Sequence, residues 1–211
     1  VDTERTGWVE DEKVFTLANV GSTKLLWRVP LNSTPRSMHN LFPPLIAENV
    51  TTPQGPLEVG LVAGVTDDLF AINVADGQVL WRRRFENRLV NQAPVNNVLC
   101  PGGQTAAPAL VQVSPGKYTV FAVSWDGRLH QINLGDGENV APPEKFIPGN
   151  GKPYALNYRD GVIYTATAQG CGGLTNAFHS FDLASRRAST FIPAGGGLWG
   201  RRGAAIDAEG R

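Results

Sequence analysis

The chain has 211 residues, 42% of them apolar and 18% charged, and its 19 Lys and Arg balance its 19 Asp and Glu. That apolar share excludes a disordered chain, and neutrality leaves no basic stripe for a polyanion, so no nucleic-acid partner is expected. No run approaches the ~18 apolar residues of a membrane-crossing helix, and 24 Gly with 15 Pro favour many turns over long helices.

The opening, residues 1–41, starts at Val1 with no basic and apolar leader ahead of it. This is the form of an exported protein after signal removal, so a periplasmic or extracellular location is expected. Within it, Leu25 to Leu31 reads as an outer strand without neighbours. Residues 42–85 then hold short apolar runs bounded by turn chemistry, such as Val59-Gly60-Leu61-Val62-Ala63, and end on Leu80-Trp81-Arg82. Residues 107–147 predict strands at 107–113, 118–124, 128–134 and 138–147, and residues 154–193 repeat the plan. Residues 202–211 begin a further first strand. Asp-Gly pairs at 76, 126, 136 and 160 supply the positive-φ residues of tight hairpins. The class is all-β.

Repetition gives the architecture. Leu69-Phe70-Ala71-Ile72-Asn73-Val74, Leu129-His130-Gln131-Ile132-Asn133-Leu134 and Phe178-His179-Ser180-Phe181-Asp182-Leu183 superpose, with 60 residues from Ile72 to Ile132 and 49 from Ile132 to Phe181. Four-strand units near 50 residues have the period of β-propeller blades. Propellers close into rings of roughly 4–8 blades. Three blades plus flanking strands therefore read as about half of a 7–8-bladed ring, the rest supplied by the same gene product or a second chain.

The stretch from Asp68 to Arg82, with Asp76-Gly77 running into Leu80-Trp81, resembles the tryptophan-docking repeat of quinoprotein (PQQ-like) propellers. Asn19-Val20-Gly21 with Leu25-Leu26-Trp27-Arg28-Val29 is similar to that family's N-terminal outer strand, which closes the ring against the last blade. In blades two and three, residues near Val140 and Ala188 stand where the docking Trp would be. The resemblance implies either a binding and scaffold propeller without cofactor, or a PQQ- and Ca²⁺-dependent alcohol or sugar dehydrogenase. In the large dehydrogenases PQQ lies beneath a disulfide of adjacent cysteines, a pair this sequence lacks, and the catalytic blades would lie outside this chain. A WD-repeat propeller is the rival fold, invited by Trp125-Asp126. That pair precedes its strand rather than ending it, and the chain contains no Gly-His pair.

Candidate chemistry is sparse. Two cysteines exclude a four-thiolate zinc site. His130 and His179 share the repeat position of Phe70 and read as packing residues, and His39 stands alone, so no metal site is expected. Arg82-Arg83-Arg84 reads as a solvated rim, because alternate side chains of a strand face opposite ways. Asn32-Ser33-Thr34 and Asn49-Val50-Thr51 fit the glycosylation pattern no more often than chance allows. Propeller topology puts the long connections 86–106 and 193–201 and the long turn 169–176 on one face, where binding residues concentrate. Arg88, Asn91, Gln92, Gln169, Asn176, Trp199, Arg201 and Arg202 are the ligand-binding candidates there, with a protein as the expected partner. Cys100 and Cys171 lie on loops of that face and are expected to form a disulfide. Two separate buried thiols are the alternative.

Overall fold

The computed structural model describes residues 12–33, 42–87, 99–195, 198 and 203–209. Twelve strands form three four-stranded antiparallel sheets, each ordered as in the sequence. The first holds β1 (Leu45–Thr52), β2 (Gly55–Gly64), β3 (Asp68–Asn73) and β4 (Val79–Arg84). The second holds β5 (Ala109–Ser114), β6 (Lys117–Val123), β7 (Arg128–Asn133) and β8 (Asn139–Lys145). The third holds β9 (Asn157–Arg159), β10 (Val162–Thr167), β11 (Ala177–Asp182) and β12 (Arg187–Phe191). Helical structure among the described residues is limited to two three-residue 3₁₀ turns.

Local chemistry explains the hairpins. Between β3 and β4, Asn73 Oδ1 accepts from Ala75 N, Asp76 Oδ1 accepts from Gln78 N, and Gly77 supplies a φ of 78°. Asn133, Asp136 and Gly137 repeat these roles between β7 and β8. The third turn departs from the pattern: Asp182 Oδ1 accepts from Ser185, and Arg186 takes the left-handed position with a φ of 57°. A side chain there is strained where glycine would not be.

Two cores join the sheets. Val59, Leu61, Ala63 and Ala71 of the first sheet pack with Val120, Ala122, Ile132 and Leu134 of the second. Phe121, Val123, Leu129 and Phe146 of the second pack with Leu156, Ile163 and Phe181 ahead of and within the third. Each such buried side chain stabilises by roughly 1.5–3 kcal/mol.

Tryptophans pin neighbouring units along one edge. Trp27 donates Nε1–H to Val74 O at 2.8 Å, and a Cβ on Gly77 would lie 2.7 Å from its ring. Trp81 donates to Leu134 O at 2.7 Å, and a Cβ on Gly137 would lie 2.8 Å from its ring. Each pin therefore requires glycine twice over, for φ and for space. In the second sheet a bulge leaves Val140 out of register, so Gln131 pairs with Ala141 as Ala71 pairs with Trp81. Ala141, one residue beyond Val140, occupies the docking position.

Three sequence expectations change. Leu25 to Leu31 pairs with no strand among the described residues; Leu25 and Leu26 are exposed, and Trp27 anchors the segment. Residues 203–209 form no strand. Instead Asn157 Nδ2 donates to Ala204 O, and the Arg159 guanidinium donates to Asp207 O and Ala208 O, so side chains grip a backbone that makes no ladder. The arginine run is largely exposed, as a rim would be, but it also clamps an anion. Arg82 and Arg84 share one face of β4 and both bind the fully buried Asp68 carboxylate at 3.0 Å. Arg83, on the opposite face, reaches Gly137 O and Asn139 Oδ1 of the next sheet.

Candidate functional site

Antiparallel alternation sends the β2–β3, β6–β7 and β10–β11 turns and the connections between sheets to one edge, opposite the tryptophan pins. On that edge Cys100, in the connection from β4 to β5, forms a disulfide with Cys171, in the β10–β11 turn. Their Cα atoms are 5.6 Å apart, so the loops of non-consecutive sheets meet as the topology predicts. Cys171 is buried, with its sulfur 3.4 Å from Leu99 O.

The segment after Cys100 is buried between two blades. Pro101 to Ala106 is buried throughout, although it is a loop. Gly103 packs on the Val65 carbonyl so closely that a Cβ would lie 1.5 Å from its oxygen. Thr105 Oγ1 donates to Pro153 O at 2.8 Å, and Asp67 Oδ1 accepts from Trp125 N at 3.0 Å, tying the loop edge across both junctions. Ser124 Oγ lies 2.9 Å from His130 Nε2 and donates to Asp126 Oδ1. Phe85 stacks on the His130 ring at 3.8 Å, which makes that histidine a packing group. His179 sits buried between Thr167 Oγ1 and Thr190 Oγ1, and burial pushes its pKa below the ordinary imidazole value, favouring the neutral ring.

Of the eight predicted ligand-binding candidates, two are described. Gln169, at a φ of 67°, accepts from the buried Lys152 Nζ at 3.3 Å. Asn176 Oδ1 accepts from Gly170 N at 3.4 Å, closing the same turn. Both therefore shape the turn that carries Cys171. Arg88, Asn91, Gln92, Trp199, Arg201 and Arg202 lie outside the described residues, as does His39.

Sequence reading missed Lys152, Gln104 and Asp68, and it weighed Trp125 only as half of a Trp-Asp pair. Lys152 and Gln104 are buried although nothing in their neighbouring letters marks them. Asp68 did carry a local signal, an acid opening β3 opposite two arginines of β4. Burial raises its pKa, but hydrogen bonds from Arg84, Thr66 and Arg82, with the Arg84 charge, outweigh that and hold the carboxyl below its ordinary value. At the pinned edge a cleft of about 450 Å³ is lined by Thr51, Thr52, Lys117, Tyr118 and Asp136, away from the predicted loop residues. Among the described residues no group of three or more His, Cys, Asp or Glu could hold a metal ion.

No protein-family model matches the sequence, and no curated protein matches it. Solved structures do. BamB from Moraxella catarrhalis is 17% identical over 69% of this chain and 34% of its own, with a TM-score of 0.43. A quinohemoprotein alcohol dehydrogenase from Pseudomonas putida is 14% identical over 74% of this chain and 22% of its own, at 0.49. A europium-containing methanol dehydrogenase is 12% identical over 81% of this chain and 27% of its own, at 0.56. The three sheets are blades of a β-propeller. The chain spans 22–34% of the length of these structures. In propeller terms Cys100 lies between blades one and two, Cys171 lies in blade three, and the bridge crosses the loop face of the partial ring. No helix among the described residues is long and apolar enough to cross a membrane.

Proposed function

We propose that this chain is part of an exported PQQ-like propeller that acts as a binding or scaffold module through its loop face. The observation that carries the reading is the Cys100–Cys171 bridge, which fixes loops of separate blades before any partner arrives. A preformed surface spares the ordering cost of binding. Gln169 and Asn176 shape one part of the proposed surface, and Arg88, Asn91, Gln92, Trp199, Arg201 and Arg202 are its further proposed members from their place in the sequence. A protein is the proposed partner class.

Further blades, from the same gene product or a second chain, belong to this reading. Trp27 docks on blade one as Trp81 docks on blade two, which supports residues 25–31 as an outer element of a preceding blade. Residues 204–208 lie against β9 in a manner suited to a following one. A native polypeptide whose mass matches a closed ring built from these 211 residues alone would overturn this.

A PQQ- and Ca²⁺-dependent dehydrogenase is the other function the resemblance implies. The cysteines here pair across 71 residues rather than side by side, so the disulfide beneath which PQQ would lie has no counterpart among the described residues. The test compares cross-linked products of the native protein with those of two double variants. Gln169→Ala with Asn176→Ala alters the loop face, and Asp136→Ala with Val140→Ser alters the opposite edge. Loss of one cross-linked partner from the loop-face variant alone supports the reading; equal retention or equal loss overturns it. Dye-linked alcohol oxidation by the native polypeptide with added PQQ and Ca²⁺ would replace it with the dehydrogenase.

A further inference from the structure

We propose that the Cys100–Cys171 disulfide takes the place of the tryptophan pin that blades two and three lack, and that reducing it releases blade three while blades one and two stay locked. The observation is a difference between two junctions of one repeat. Across the first, the pinned edge carries Trp81 on Leu134 O, Arg83 on Gly137 O and Asn139, Thr51 N on Gly116 O at 2.8 Å, and Tyr118 Oη on Glu48 O at 3.1 Å. Across the second, Ala141 stands at the docking position and Arg186 fills the socket that glycine fills in the other blades. The polar contact seen across that edge is an ion pair, Arg186 Nε to Glu144 Oε2 at 2.9 Å, with the arginine side chain 61% exposed, beside the packing of Tyr158 and Leu183 on the shared core. Exposed pairs of this kind hold little.

The loop edge compensates. There the bridge joins the segment leading into blade two to the β10–β11 turn, Thr105 holds Pro153 O, and Leu156 N donates to Ala107 O at 3.0 Å. The first junction is thus fastened at both edges, since Asp67 Oδ1 accepts from Trp125 N and Phe85 stacks on His130 at the loop edge, whereas the second is fastened at the loop edge above its shared core. The strand ladders of blade three form within the blade, β9–β12 pairing among themselves, but their protection rests on the core the sheet shares with blade two through Ile163 and Phe181, and a four-stranded sheet that loosens from its core opens more often. Breaking the bridge removes the cross-link between the two loops and leaves blade three held by the main chain and the shared core.

The chemistry is ordinary thiol–disulfide exchange with a dithiol. Cys171 is buried and Cys100 half-buried, so the dithiol's thiolate attacks Cys100 Sγ. Cys171 leaves as a thiolate and takes a proton. The second thiol then closes on the mixed disulfide, and Cys100 leaves and is protonated. Two electrons pass from the dithiol, which ends as a cyclic disulfide, to the two cysteines.

Hydrogen exchange of the full chain, oxidised and after dithiothreitol, tests this. Amides of β9–β12 are expected to exchange at least ~10-fold faster on reduction, with those of β2, β3, β6 and β7 unchanged. The double variant Cys100→Ser, Cys171→Ser should match the reduced pattern without reductant. In that variant, adding Ala141→Trp with Arg186→Gly installs the missing pin and is expected to restore protection to β9–β12. Uniform acceleration in all three blades, no change on reduction, or no restoration by the installed pin overturns the proposal.

Discussion

The two junctions of this partial ring bury similar apolar layers yet are fastened differently. Between blades one and two the fastening is written into the repeat: a Trp at the end of one unit, a Gly in the turn of the next, 56 residues apart at Trp81 and Gly137. Between blades two and three it is written outside the repeat, in loops 71 residues apart, assisted by aromatic pairs Phe121–Tyr158 and Phe146–Phe181. A repeat can therefore lose its signature residue where another element holds the same interface. Packing, rather than the motif, is what the blades share.

The largest expected effect comes from deleting the nonlocal fastening. Replacing both cysteines by serine should lower unfolding free energy by about 4 kcal/mol in the chain-entropy account of a closed loop this size, read from chemical denaturation under oxidising conditions. Next comes the local one. Trp81→Ala loses a hydrogen bond and a large half-buried ring, and should cost about 3 kcal/mol. Gly137→Ala should be comparably harmful alone. Combined with Trp81→Ala it should cost less than the sum, because the clash partner is gone. Additive costs would break the pairing of pin and socket.

Asp68→Asn should cost about 2 kcal/mol by taking the charge from beneath Arg82 and Arg84. The pH dependence sharpens it. The folded pKa of Asp68 is depressed, so its contribution is fully present above the ordinary carboxylate range and lost as pH falls through the lower folded value. Stability of the native chain should therefore decline on acidification more than that of the Asn variant. Parallel pH profiles would remove Asp68 from the account. Smallest is Glu144→Gln, which deletes an exposed pair and should cost about 0.5 kcal/mol, less at high salt. A cost as large as that of Trp81→Ala would mean that the second junction is pinned at this edge after all.

Much of the fold was legible because its signals are local. Asn73, Asp76 and Gly77 build a hairpin within five residues, and the same letters recur at Asn133, Asp136 and Gly137. The docking position in blade two falls among the residues near Val140: Ala141 follows Ile132 by nine residues as Trp81 follows Ile72, and both sheets carry the same bulge. The arginine run was misread because alternation says which residues share a face, not what lies on it; Asp68 lies 14 residues before Arg82 and directly across the ladder from Arg84. The cysteine pair followed from topology, which puts both loops on one face, together with the expected oxidising location. Lys152 and Gln104 could not, since nothing in their neighbouring letters marks their burial.

Trp27 and Trp81 also pose a sorting problem for the folding chain. Each plug reads only a main-chain carbonyl and a missing Cβ, so the sockets at Gly77 and Gly137 are interchangeable in kind. Trp27 is 50 residues from the first and 110 from the second. Loop-closure entropy separates those choices by only about 0.7 kcal/mol. Trp27 in the Gly137 socket is thus a competing arrangement for early collapse, one that the blade cores, lined by different residues, disfavour. Phenylalanine at position 27 keeps the ring and drops the indole donor, and should speed refolding if that competition limits it.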